Sequence, residues 1–192
     1  MNLTTFSLQE NDKAQSELLS LLKQQPFIFQ NQVRHDHYKH VFNFGGAPLM
    51  PSEKEQYSAK FFRSEAAEKL DFVQDFVSTI IERKINEHVS GTFSTKDFRV
   101  MKMNSGCYIR SHTDSFLGTH GFVYYAKQDW KADWGGLLCY VDGNSTQIEC
   151  NCPIGGSIVF FENDGAGHFV TPVSEYAVNE RFSIAGFGNV KN

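Results

Sequence analysis

The chain is short of cysteine, of basic charge and of long apolar runs, and each shortage closes a class of function. Lysine and arginine number 18 against 22 aspartates and glutamates, a net charge of −4 with a pI near 6.0. No global basic field is available to draw nucleic acid, which is not expected as a partner. The longest apolar runs, such as Ser157 to Phe161, fall far short of a membrane span, so no membrane partner is expected. Met1 to Glu10 is polar and lacks a basic stretch followed by an apolar one. No secretory signal is expected there, and the protein is expected in the cytoplasm. Four cysteines are present, Cys107, Cys139, Cys150 and Cys152, and only Cys150-Asn151-Cys152 is close-spaced. Zinc needs four ligands, and no second cysteine pair supplies them. The plain expectation is reduced, partly buried thiols.

What is abundant is core material. Eighteen phenylalanines stand in a chain of 192 residues that is 41% hydrophobic. That length suits one domain, residues 1–192, with a full core. The first half reads mostly helical. Ser7 or Asn11 can cap a helix carrying Leu18, Leu19, Leu21 and Leu22, and Pro26 stops it. Phe27 to Met50 reads as irregular, punctuated by Gly45-Gly46, Pro48 and Pro51 just beyond. Helical spacing returns from Glu53 to about Val89, with Leu70, Val73, Phe76, Val77, Ile80 and Ile81 at three- and four-residue steps. Glu65 and Lys69 can pair on its wet side.

The second half changes period. Residues 98–103, 121–125, 136–141, 146–150, 157–161, 168–173 and 181–187 are short strand candidates. Turn signals separate them: Asp142-Gly143, Pro153 to Gly156, and Asn163 to Gly167. Strands at this spacing predict a sandwich or barrel, of which a jelly roll is one member. The expected architecture is mainly β with N-terminal helices bracing one outer face. Residues 1–95 would form helical support and a lid, and residues 96–192 the strand roll.

The chemistry concentrates in His112-Thr113-Asp114, then His168, then Arg181. On an extended segment, residues two apart share a face, so His112 and Asp114 can converge on one cation. His168 follows a glycine-rich loop, where a strand start can bring it beside them. Two imidazoles and one carboxylate suit ferrous iron and leave coordination positions for substrates. H-x-D alone is a weak signal, and the ordered set carries the reading. The histidine-dense segment His35 to His40 has no such partner pattern and reads as a solvated or lid segment.

Several pieces together resemble the Fe(II)/2-oxoglutarate-dependent oxygenases, in particular the prolyl-hydroxylase branch. They are Tyr108 to Asp114, Val123 to Tyr125, Trp134 to Leu138, Gly156 to Phe161, His168 to Val173 and Arg181 to Ile184, within Met101 to Asn189. The resemblance implies a double-stranded β-helix, a jelly roll of the cupin kind. It implies that His112, Asp114 and His168 hold Fe(II), and that Arg181 binds the distal carboxylate of 2-oxoglutarate. A guanidinium fork suits that carboxylate. Ser183 lies on the same strand face as Arg181, and Tyr125 matches a tyrosine that reaches this carboxylate in hypoxia-type relatives. An ordinary sheet aromatic is the equal alternative for Tyr125. O2 is the second cosubstrate and ascorbate a candidate reductant. Two departures stand out. The basic residue follows the distal histidine at a longer spacing, and Met101 and Met103 replace a tyrosine before the H-x-D. Both bear on the prime substrate.

The activity so implied is hydroxylation of an unactivated C–H bond, in an amino acid or in a peptide or protein residue, with release of succinate and CO2. Asn104, Arg110 and Trp134 are candidate contacts to that substrate. A turn residue, a surface charge and a structural tryptophan are the plain alternatives for the three. The substrate would sit over the mouth, under Phe27 to Met50 or the Ser115 to His120 loop. The competing function is a non-enzymatic jelly-roll module that binds a ligand or partner.

Overall fold

The computed structural model describes residues 3–8, 11–34, 43–44, 47–48, 57–114, 116–141, 148–163 and 167–191. The His35 to His40 segment, Gly45-Gly46 and the Asp142-Gly143 turn lie outside the described residues. Thirteen strands are described: β1 Thr4–Ser7, β2 Ile28–Arg34, β3 Asn43–Phe44, β4 Ala47–Pro48, β5 Tyr57–Arg63, β6 Thr92–Met103, β7 Tyr108–His112, β8 His120–Tyr125, β9 Leu138–Val141, β10 Ile148–Asn151, β11 Ser157–Glu162, β12 Gly167–Val170 and β13 Arg181–Lys191. All but the β3–β4 pair join one antiparallel sheet, in the order β1-β11-β8-β13-β6-β5-β7-β12-β9-β10, with β2 on β5. The sheet curls so that its two halves face each other, the jelly-roll arrangement that the resemblance implies and one of those the strand spacing allows.

Period-2 alternation sorts the side chains into two cores. Met101, Met103, Val123, Tyr125, Val159, Phe161 and Ala185 point between the halves, where Ile109, Leu138, Tyr140 and Val170 meet them. Their neighbours Val100, Phe122, Tyr124, Ile158, Phe160, Phe182 and Ile184 point outward. The helices cover that outer face. Helix α1 (Asp12–Lys23) buries Leu18 and Leu22. Helix α3 (Asp71–Asp75) runs through a π-helical stretch, Phe76–Ile81, into α4 (Glu82–Asn86) and buries Val73, Phe76, Val77, Ile81 and Ile85. Each such side chain contributes about 1.5–3 kcal/mol on burial. Short helix α2 (Glu65–Glu68) is capped by Ser64, whose hydroxyl accepts from the Ala67 N–H at 3.1 Å. The Glu68 carboxylate takes two guanidinium hydrogen bonds from Arg63, at 2.9 and 2.8 Å, and the Val100 N–H at 3.0 Å. It pins α2 to the junction of β5 and β6.

The first half is less helical than its composition predicts. Ile28–Arg34, expected to be irregular, and Tyr57–Arg63, expected to be helical, are paired strands. β5 also pairs with β6 and β7, and β1 extends the sheet beyond β11. Glu65 lies 3.7 Å from Arg63 in place of the expected pairing with Lys69. The cysteine expectation is corrected too. Cys139 and Cys150 are register partners on β9 and β10 and form a disulfide, leaving Cys107 and Cys152 as free thiols. Among the described residues no helix is long and apolar enough to cross a membrane.

Candidate active site

A cavity of about 120 Å³ opens between the two halves of the sheet. His112, Asp114, His168, Arg181 and Tyr125 line it, mostly among apolar side chains. One rung across three strands builds its metal-binding wall: His112 on β7 faces His168 on β12, which faces Tyr140 on β9. A bulge in β7 makes this possible. Between the pairs His168/His112 and Val170/Ile109, β7 carries one residue more than β12. Strict alternation would place Ile109 and His112 on opposite faces, and the extra residue turns both into the cavity. β7 ends at His112, so Asp114 is not on the strand. It stands in the turn closed by the Leu117 N–H on the Asp114 carbonyl at 2.9 Å.

The three groups nonetheless converge. The Asp114 Oδ2 lies 3.2 Å from His168 Nε2 and 3.5 Å from His112 Nε2, and the donor atoms of all three lie within 4.8 Å of one another. Metal–ligand bonds of about 2.0–2.2 Å put adjacent donors about 3 Å apart, so a small contraction admits one ion. The His112 Nδ1 faces the Arg110 carbonyl at 2.9 Å, which fixes the tautomer that leaves Nε2 for a metal. Burial acts to raise the Asp114 carboxyl, but the charge and hydrogen bond of His112, then His168, hold it well below the usual carboxylate range. Burial acts to lower His112, and the Asp114 carboxylate overrides it and raises it. Phe161 packs its ring 5.5 Å from that of His168 and 4.9 Å from that of Tyr140. Gly121 allows this, because a Cβ there would lie 2.6 Å from the Phe161 ring.

The deep end of the cavity holds a second unusual group. The Arg181 guanidinium is 2% exposed, sits 5.2 Å over the Tyr125 ring, and donates through NH1 to the Gly136 carbonyl. Among the described residues no carboxylate lies within ion-pair distance of it. Its Nε, the Ser183 hydroxyl and the Tyr125 hydroxyl are all buried without a hydrogen-bond partner. Ser183 and Tyr125 are register partners on β13 and β8, so these donors cluster. Burial pushes the Tyr125 hydroxyl up to about 12, and Arg181 opposes it only in part. The phenol therefore stays a neutral donor. A buried cation beside idle hydroxyls is costly unless an anion arrives. A dicarboxylate cosubstrate fits this deep end, and a ferrous ion fits the donor set of two imidazoles and one carboxylate.

The three expected substrate contacts are not brought together at the cavity. Asn104 sits in the turn before β7, where its side-chain oxygen accepts from the Cys107 thiol at 3.3 Å. Arg110 is on β7 but is not among the lining residues. Trp134 packs edge-on against Trp130 at 5.3 Å. Gly135 and Gly136 after it have φ of +68° and +64°, and Gly136 presents the carbonyl that Arg181 uses. This segment shapes the Arg181 end. The lining residues that sequence reasoning missed are Arg99 and Gln32; Tyr140, also missed, lies behind His168. Arg99 was readable, since it alternates with Met101 and Met103 on the inner face of β6. Phe116 and Leu117, from the loop expected over the mouth, do line the cavity.

Residues 98–189 match the family model of the 2OG-Fe(II) oxygenase superfamily. No curated protein matches the chain by sequence. Solved structures share the fold. A 2OG-Fe(II) oxygenase family oxidoreductase from Burkholderia pseudomallei aligns at 11% identity over 99% of this chain and 86% of its own, with a TM-score of 0.65. A Pseudomonas putida prolyl-4-hydroxylase aligns at 14% identity over 99% and 93%, with a TM-score of 0.58. A Trichoplax adhaerens prolyl hydroxylase, solved in complex with a hypoxia inducible factor oxygen degradation domain peptide fragment, aligns at 15% identity over 97% and 82%, with a TM-score of 0.64. Residues 98–189 thus resemble the 2OG-Fe(II) oxygenases, and the chain shares the fold of the prolyl hydroxylases. The family whose model matches uses Fe(II), 2-oxoglutarate and O2.

Proposed function

We propose that the protein hydroxylates an unactivated C–H bond of an amino acid or of a peptide or protein residue, releasing succinate and CO2. One observation carries the reading: the buried Arg181 guanidinium, without a carboxylate partner among the described residues, lines the cavity that holds Tyr125, His112, Asp114 and His168, and the hydroxyls of Tyr125 and of its register partner Ser183 are unsatisfied. His112, Asp114 and His168 hold the iron. Arg181, Ser183 and Tyr125 take the distal carboxylate of 2-oxoglutarate, so the cosubstrate enters in one orientation. Bound iron with its cosubstrates supplies the oxidising chemistry, and the protein supplies position and a dry, mostly apolar site. Asp114 keeps a carboxylate in the donor set, which favours hydroxylation over transfer of a halide. A non-enzymatic binding module gives the three-ligand cluster no role.

Anaerobic addition of Fe(II) and 2-oxoglutarate should give a weak visible charge-transfer band, lost in His112→Ala and displaced to much higher 2-oxoglutarate concentration in Arg181→Gln. Succinate should form from 2-oxoglutarate only with iron and O2. Absence of the band from the intact protein sinks the proposal.

A further inference from the structure

Two arginines, not one, point into the cavity, and the cosubstrate accounts for only Arg181. Arg99 on β6 lines the same space. It is the register partner of Ala185, while Arg181 is the register partner of Met103. Four residues of strand therefore separate the two cations, about 13 Å along the sheet. Arg99 stands toward the metal cluster, close enough that its charge opposes protonation of His112. Its guanidinium carbon lies 5.9 Å from the centre of the Phe187 ring. Among the described residues no carboxylate lies within ion-pair distance of it. The lining it shares includes Phe187, Ala185, Phe116 and the amide of Gln32, and Asp114 of the metal cluster is the one carboxylate among the described lining residues. A cation in an apolar mouth, with its fork unused, is a carboxylate receptor of the same kind as the deep end.

We propose that Arg99 anchors a carboxylate of the prime substrate, so that this enzyme selects acids over their neutral analogues. The proposal rests on the hydroxylase reading above. A guanidinium at the mouth fixes one end of the substrate, and the apolar wall holds an aliphatic C–H bond toward the metal side. The carboxylate has two sources, the α-carboxylate of a free amino acid or small acid, and an acidic side chain or C-terminus of a peptide.

The test pairs each acid with its primary amide. Free amino acids, small aliphatic acids and acidic peptides are titrated by calorimetry into the anaerobic protein loaded with Fe(II) and 2-oxoglutarate, then scored for stimulated succinate release. At least one acid should bind about 10- to 100-fold more tightly than its amide, the range that a charge-assisted hydrogen-bond pair gives. Arg99→Gln should narrow that ratio to about threefold or less, and Arg99→Lys should keep part of it. Selectivity confined to free acids, or to peptides, assigns the source, and either supports the proposal. It is overturned if acids and amides behave alike, if no acid responds, or if the ratio survives Arg99→Gln in a protein that melts like the intact one. The charge-transfer band separates the two readings. A missing band overturns the hydroxylase, whereas a normal band without acid selectivity overturns only the role of Arg99.

Discussion

At the scale of single residues the metal cluster is an acid–base device before any ion arrives. The Asp114 carboxylate stays ionised far into acid, and His112 holds its proton to a higher pH than an ordinary imidazole. A metal needs the imidazole neutral, so iron and a proton compete for His112. The sign follows. Below the raised His112 value, each bound ion expels a proton, and apparent affinity falls as pH falls by up to about tenfold per unit. Well above the ordinary value of 6.5 the dependence flattens. Calorimetry of iron binding in buffers of different ionisation enthalpy counts the released protons. A count near zero at low pH would contradict the coupling. These residues were legible in the sequence because chemistry demands their types: two imidazoles, a carboxylate and a guanidinium in a fixed order. Tyr140 was not legible, since an aromatic in an apolar strand looks the same whether it backs a ligand or fills a core.

At the scale of elements, legibility followed periodicity. The strand half shows short unbroken apolar runs at Gly121 to Tyr125 and Ser157 to Phe161, bounded by turn signals, and these are β8 and β11, buried on both faces. The stripe of Val73, Phe76, Val77 and Ile81 marks a helix, and the structure buries all four against the outer face. Tyr57–Arg63 misled because its strand pairings are all long-range. It becomes a strand only when β2, β6 and β7 are beside it. The bulge in β7 is invisible for the same reason, since it exists only relative to β12. So too with Cys139 and Cys150, 11 residues apart in sequence and opposite each other across β9 and β10. Closing so short a loop stabilises by about 3 kcal/mol in the chain-entropy model. Alkylation of the unfolded, unreduced protein should therefore label two of its four cysteines. Reductant should lower the urea midpoint of the intact protein, and that loss should vanish in the Cys139→Ser, Cys150→Ser double variant. Four labelled thiols would rule the cross-link out.

At the scale of the whole molecule, the helices and the cavity divide the sheet's two faces between stability and chemistry. The outer face is covered by α1, α3 and α4, so the inner face can carry a void lined by two arginines that have no carboxylate partner among the described residues. That void is a liability until filled. A buried guanidinium without a carboxylate weakens the empty protein, and a dicarboxylate that joins it gives the cost back. Two opposed effects of Arg181→Gln follow. The metal-free, ligand-free variant should melt no lower than the intact protein, because an uncompensated buried charge is gone. The intact protein, saturated with Mn(II) and a non-decarboxylating 2-oxoglutarate analogue at about 100 times its Kd, should gain about 2.7 kcal/mol. For a chain of 192 residues that is a rise in Tm of about 5–10 °C. In the variant the rise should collapse. A residue that served packing alone would lower the ligand-free Tm and leave the ligand-induced rise intact, so differential scanning calorimetry of both proteins, with and without ligand, separates a cosubstrate anchor from a core residue.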